Sequence, residues 1–296
     1  MDKNLLHGVH TALITPMKDG EVSYGDLENL ISRQIAANVS GLVPCGTTGE
    51  SPTLSKNEHL EVIRKSIEMA QGKVPVIAGT GANSTKEALF LTEMADKAGA
   101  DAFLIVAPYY NKPSQDGLFE HFSQIAQRTE KPIVLYSIPS RCGIEISTQT
   151  VHRLREKYPH ICALKEAGGR SVKVSETVVA LDSDFTVLSG DDGLTIPFIA
   201  CGAKGVVSVA SNIIPEKVVV LVSQANGGHL LDAQKIHLEN YQFFTDIFCE
   251  PNPVPIKILM HLKGIISSPE VRLPLSPPTS SNMELLKKIA QDLQID

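Results

Sequence analysis

The chain has no CxxC pair, and its five cysteines (Cys45, Cys142, Cys162, Cys201 and Cys249) are odd in number and widely scattered. That argues against a disulfide framework or a cysteine zinc site and fits a reducing compartment. No run of about 20 apolar residues occurs, so no membrane-spanning helix is expected. Positive charge is not in excess: the formal net charge is −6 and the pI is near 5.9. Neither nucleic acid nor an anionic membrane is an expected partner. The opening residues Met1-Asp2-Lys3-Asn4-Leu5-Leu6-His7 show no signal-peptide pattern, so a cytoplasmic location is expected. There is no P-loop and no HExxH. Gly79-Thr80-Gly81-Ala82-Asn83-Ser84 begins like a dinucleotide fingerprint but lacks its third glycine. No metal and no cofactor is expected.

What is present is a repeating pattern. The chain has 296 residues, 43% apolar and 20% charged, enough for one large barrel or two smaller domains. Strand-like runs fall at Val9–Ile14, Gly41–Pro44, Val74–Ala78, Ala102–Ala107, Ile133–Tyr136, Ile161–Lys165, Thr186–Ser189 and Gly205–Val209. Many are continuously apolar, as parallel strands covered on both faces should be. Helical patterns lie between them. Leu27, Leu30, Ile31 and Ile35 share one face after Ser23, and further helices are expected over 117–128, 147–157, 172–181, 194–201 and 215–225. Ser55-Lys56-Asn57-Glu58 and Ser84-Thr85-Lys86-Glu87 read as capping boxes, and Gly99 as a helix stop.

The alternation predicts an α/β fold, a (β/α)8 TIM barrel over residues 1–225. A C-terminal helical appendix over 226–296 follows, with helices near 229–249, 254–264 and 282–294. An open doubly wound sheet is the alternative, weakened by the missing fingerprint.

In a barrel the strand ends gather on one face. Lys165 closes the apolar run Ile161-Cys162-Ala163-Leu164. Such a lysine either snorkels its ammonium to solvent or serves as an amine nucleophile. The second strand ends in Gly46-Thr47-Thr48-Gly49-Glu50-Ser51, either a plain turn or a cradle for a small carboxylate. Pro108-Tyr109-Tyr110-Asn111 follows the fourth strand, and Tyr136-Ser137-Ile138-Pro139-Ser140-Arg141 ends the fifth. Phenols cap cores or relay protons, and Arg141 makes a surface ion pair or binds a carboxylate. For Asp191-Asp192, capping of the segment from Leu194 is a better fit than a metal site.

These motifs, with Lys165-Glu166-Ala167 and Glu250-Pro251-Asn252-Pro253, appear in order, and the whole chain resembles the dihydrodipicolinate synthase family of pyruvate-dependent Schiff-base lyases. The resemblance implies that pyruvate condenses with L-aspartate 4-semialdehyde in the diaminopimelate route of lysine biosynthesis. Lys165 would form the imine, and Tyr136, Thr47 and Tyr110 the proton relay, with Tyr110 supplied across a dimer interface. Thr48 and the backbone of Val207 would hold pyruvate, Arg141 the semialdehyde, and Gly190 would shape the pocket. It further implies a homotetramer built as a dimer of dimers, and allosteric inhibition by lysine at Ser51, His59, Asn83, Glu87 and Tyr109. Ser137 departs from the usual asparagine, with little effect expected on the reaction class. The alternatives are a related class I aldolase, such as N-acetylneuraminate lyase or a 2-keto-3-deoxy-sugar-acid aldolase, and a non-catalytic barrel binding pyruvate or lysine.

Overall fold

The structure, a computed structural model, describes residues 5–293. The ends of the two expected regions, Met1–Asn4 and residues 294–296, lie outside the described residues, as does the last residue of the helix expected over 282–294. Eight parallel strands form the barrel: β1 Gly8–Ala12, β2 Gly41–Val43, β3 Ile77–Gly79, β4 Ala102–Val106, β5 Ile133–Ser137, β6 Ile161–Glu166, β7 Thr186–Ser189 and β8 Gly205–Ser208. Each pairs with its sequence neighbours except at the junction of β2 and β3, and β8 pairs with β1. Only β2 and β3 meet through a lone bridge, Leu42 to Val76, flanked by Leu42 N–H to Pro75 O at 2.9 Å and Gly79 N–H to Pro44 O at 2.9 Å. The third strand was expected over Val74–Ala78 and starts at Ile77 instead. Pro75 has no N–H to give to a ladder, which keeps the run before it out of regular pairing.

The strands alternate between two cores. Phe103, Ile105, Leu135, Leu164 and Val206 face outward into the helix layer. Ala102, Leu104, Val134, Tyr136, Ala163, Leu188 and Val207 fill the barrel interior. Because side chains alternate along a strand, Lys165 follows Ala163 to the inside. Register then sets its neighbours: Lys165 lies opposite Tyr136 on β5 and Leu188 on β7.

The helices follow the expected order. Helix Lys56–Ala70 opens on a complete capping box, with both the Ser55 and Glu58 side chains engaged. The second box does not form: helix Thr85–Ala98 has Ser84 at its N-cap without a side-chain bond, and Glu87 turns toward Lys56 at 3.8 Å. Gly99 ends that helix at φ +96, a left-handed geometry costly for other residues. The segment expected as one helix over 194–201 splits into a 3-10 turn Asp192–Leu194 and a short helix Thr195–Ala200. The C-terminal helices are Leu230–Asp246, Val254–Leu262 and Ser280–Asp292. Helix Leu230–Asp246 packs on Pro215–Asn226, and helix Val254–Leu262 is buried along most of its length. Among the described residues no helix is long and apolar enough to cross a membrane.

Candidate active site

Lys165 is 6% exposed at the end of β6. Its Nζ lies 4.0 Å from the centre of the Tyr136 ring. Burial pulls its pKa down to about 7; Asp192 pushes upward and Arg141 adds to the lowering. Loss of hydration penalises the ammonium, and nearby charges tune the remainder. A Cβ on Gly190 would come within 3.1 Å of Lys165 Cε and 2.7 Å of Ala167 Cβ. Any larger residue there would crowd the stem of the lysine.

Tyr136 is buried, and its hydroxyl is hydrogen-bonded to the Thr47 side chain. Burial pushes its pKa up to about 12, while the Thr47 bond and Arg141 act the other way. The phenol therefore keeps its proton at neutral pH, as a relay donor must. Thr47, Tyr136 and Arg141 line one cavity of about 220 Å³, together with Gly46, Tyr109 and Cys142. Lys165 does not itself line this cavity; it lies against the ring of Tyr136, which does. Arg141 is carried by a short helix, Pro139–Cys142, which the sequence pattern did not reveal. Pro139 suits its first turn because no N–H is needed there. Cys142 is buried, with Sγ 3.2 Å from the Ala107 carbonyl oxygen. Ser137 accepts the Ile146 N–H at 3.3 Å and pins the loop beyond that helix.

Thr48 is buried beside Thr47 and accepts from Asn252 Nδ2 at 2.9 Å. Val207 pairs with His10 near the end of β8, its side chain in the interior core. Tyr110 is not drawn in. It is 89% exposed, at φ +72, on the loop after β4.

A second cavity of about 140 Å³ is lined by Ser51, Lys56, His59, Glu87, Leu91 and Tyr109 among others. Ser51, Pro52, Gly81 and Tyr109 also line the first cavity, so the two share a wall. His59 is buried, its Nε2 2.8 Å from the Gly79 carbonyl oxygen, and burial lowers its pKa. Asn83 does not line this cavity; its carbonyl accepts from Asn111 Nδ2 at 2.7 Å, and its backbone N–H donates to the Tyr109 hydroxyl.

Two further features escaped the sequence. Asp192 does not serve as a simple cap: it is buried and accepts from Ser208 Oγ at 2.5 Å, Val209 N–H at 2.9 Å and Ala210 N–H at 3.1 Å. Asp191 takes the capping part, accepting from Gly193 N–H at 2.8 Å. Lys257, inside the apolar helix VPIKILMHL, forms a wholly buried ion pair with Glu50. A charge within an apolar helix was the available signal.

The barrel and its buried strand-end amine define a (β/α)8-barrel lyase. Comparison with known proteins narrows the class. The model of the dihydrodipicolinate synthetase family matches residues 5–293. A 4-hydroxy-tetrahydrodipicolinate synthase from Sulfurihydrogenibium sp. (strain YO3AOP1) is 46% identical over 285 residues, covering 96% of this chain and 97% of that protein. The solved 4-hydroxy-tetrahydrodipicolinate synthase of Methylacidiphilum fumariolicum SolV superposes with a TM-score of 0.95 at 48% identity, covering 97% of this chain and 95% of that one. The dihydrodipicolinate synthase from Cyanidioschyzon merolae, solved with lysine bound, gives a TM-score of 0.93 at 38% identity, with 98% and 99% covered. This chain belongs to the dihydrodipicolinate synthetase family.

Proposed function

We propose that this chain condenses pyruvate with L-aspartate 4-semialdehyde to form 4-hydroxy-tetrahydrodipicolinate, a lyase step of the diaminopimelate route to lysine. The observation that carries the reading is Lys165, a buried amine with its pKa near 7, facing a buried tyrosine that is bonded to Thr47.

The unprotonated amine attacks C2 of pyruvate, forming a C–N bond as the carbonyl opens, and loss of water leaves the protonated imine. That imine withdraws electrons from C3, which gives up a proton and becomes the enamine carbon. C3 attacks the aldehyde of the semialdehyde, forming a C–C bond, and the new alkoxide takes a proton. The semialdehyde amine then displaces Lys165 from the imine carbon, closing the ring and freeing the enzyme. Tyr136 and Thr47 pass the protons. Thr48, the backbone N–H groups of its turn and the Val207 backbone hold the pyruvate carboxylate. Arg141 takes the semialdehyde carboxylate, where a guanidinium binds in a fork.

Tyr110 completes the relay of a neighbouring subunit in a homotetramer built as a dimer of dimers; its exposure, next in the chain to the cavity-lining Tyr109, supports this. Lysine is the effector of the second cavity, with Glu87 facing an ammonium group and His59 and Ser51 supplying polar contacts. The shared wall with the first cavity supports coupling between them. The enzyme works in the cytoplasm.

Borohydride reduction with pyruvate, followed by peptide mass analysis, should place the adduct on Lys165. A coupled assay with the downstream reductase should show turnover with aspartate semialdehyde, and a pyruvate-release assay should show none with sialic acid. An unlabelled Lys165 peptide would refute the imine mechanism.

A further inference from the structure

The turn that carries Thr47 and Thr48 is held from behind by the C-terminal part of the chain. Glu50 closes that turn: its N–H donates to the Thr47 carbonyl at 3.1 Å, and its φ is +54. One carboxylate oxygen of Glu50 accepts from Lys257 Nζ at 2.7 Å, and the other accepts from Arg272 N–H at 3.1 Å. Lys257 Nζ also donates to the Thr15 carbonyl at 2.9 Å, while the Thr15 hydroxyl donates to the Gly49 carbonyl at 2.7 Å. The ammonium thus grips Glu50 directly and Gly49 through Thr15. Asn252 adds its bond to Thr48 Oγ1. Arg272 holds the exit of the turn, donating to the Thr53 carbonyl at 3.1 Å and pairing with Glu58.

Both charges of the Lys257–Glu50 pair are fully buried. Desolvation offsets most of the attraction in such pairs, so net stability is a weak reason for one to be present. What the pair fixes is position, because a buried carboxylate and ammonium are strongly penalised if either loses the other. Neither Lys257 nor Glu50 lines the catalytic cavity.

We propose that Lys257 and Glu50 are positioning residues for pyruvate: their ion pair sets the Thr47–Thr48 turn so that Thr47 meets Tyr136 and Thr48 faces the keto acid. The inference rests on the roles proposed above for Thr47 and Thr48. It gives the C-terminal helices a part in substrate binding that no contact of theirs with the substrate supplies.

The test compares the parent with the double variant Glu50→Gln/Lys257→Met and with Glu50→Asp alone. Removing both charges leaves no orphaned ion, so the double variant should melt within a few degrees of the parent. It should nevertheless need about tenfold more pyruvate or greater for half-maximal borohydride trapping, the loss expected for one misplaced hydrogen bond to a carboxylate. The semialdehyde requirement should stay at the parent level, because Arg141 sits on a separate helix. Glu50→Asp, which keeps both buried charges but draws the carboxylate back by one methylene, should raise the pyruvate requirement in the same direction and covers the case of a double variant that fails to fold. An unchanged pyruvate requirement in either folded variant overturns the proposal, as does a parallel rise for both substrates, the mark of general loosening. If the parent itself is not trapped on Lys165, the reading of the site fails instead.

Discussion

The pKa of Lys165 sets how imine formation must depend on pH. An ordinary lysine at pH 7 leaves about one amine in 3,000 unprotonated. With its pKa pulled down to about 7, Lys165 leaves about half, on the order of 1,000-fold more nucleophile. The rate of imine formation with pyruvate should therefore rise through pH 6 and level off by about pH 8. Rapid-quench borohydride trapping between pH 5.5 and 9, read by intact mass, measures it directly. Two variants check the cause. Asp192 favours the ammonium and Arg141 disfavours it. Asp192→Asn should therefore move the rising limb to lower pH, and Arg141→Ala should move it to higher pH. Asparagine can keep the local bonds, because its oxygen still accepts the Val209 and Ala210 N–H groups. Its amide can donate to Ser208 Oγ, which already accepts from Ser211 N–H at 2.9 Å. A rate that climbs tenfold per pH unit through pH 9 would mean the amine is not held near neutrality. Shifts of the reverse sign in the two variants would mean the charges do not act as described.

Arg141→Ala should retain trapping with pyruvate at saturating pH while raising the semialdehyde requirement roughly 10- to 100-fold, the worth of a charge-assisted pair; loss of trapping would reassign the residue. Glu87→Ala should leave uninhibited turnover near the parent rate and raise the lysine needed for half inhibition by about tenfold, and an unchanged inhibition curve would remove Glu87 from the effector site. Tyr110→Phe and Lys165→Ala subunits, each nearly inactive alone, should regain activity when mixed and reassembled, since a hybrid interface restores one complete site. Gly190→Ala should slow trapping at every pH, because its Cβ would crowd Lys165 Cε, while a parent rate would show that the stem moves aside freely.

The strands were legible because burial on both faces demands continuous apolar runs, and a lysine ending such a run has few ordinary explanations. Their starts and stops were less so: Pro75 delays the third strand by an effect on pairing that composition does not display. Ser84 and Glu87 fit a capping box by spacing, yet Lys56, from the preceding helix, draws Glu87 away. Asp192 looked like a cap because helix starts favour aspartate; its actual donors lie 16 to 18 residues on, around the end of β8. Tyr110 gave no sign in its sequence neighbourhood that its own chain leaves it exposed.

By itself the sequence determined the barrel, the amine and the family, since apolar periodicity and strand-end motifs are local properties of the chain. The tertiary structure decided what those residues can do. Register placed Lys165 opposite Tyr136, desolvation brought the amine near neutrality, and helix Val254–Leu262 reached back to fix Glu50 across 207 positions of sequence. Each of these depends on distance and dielectric, and both are set only when remote segments pack together.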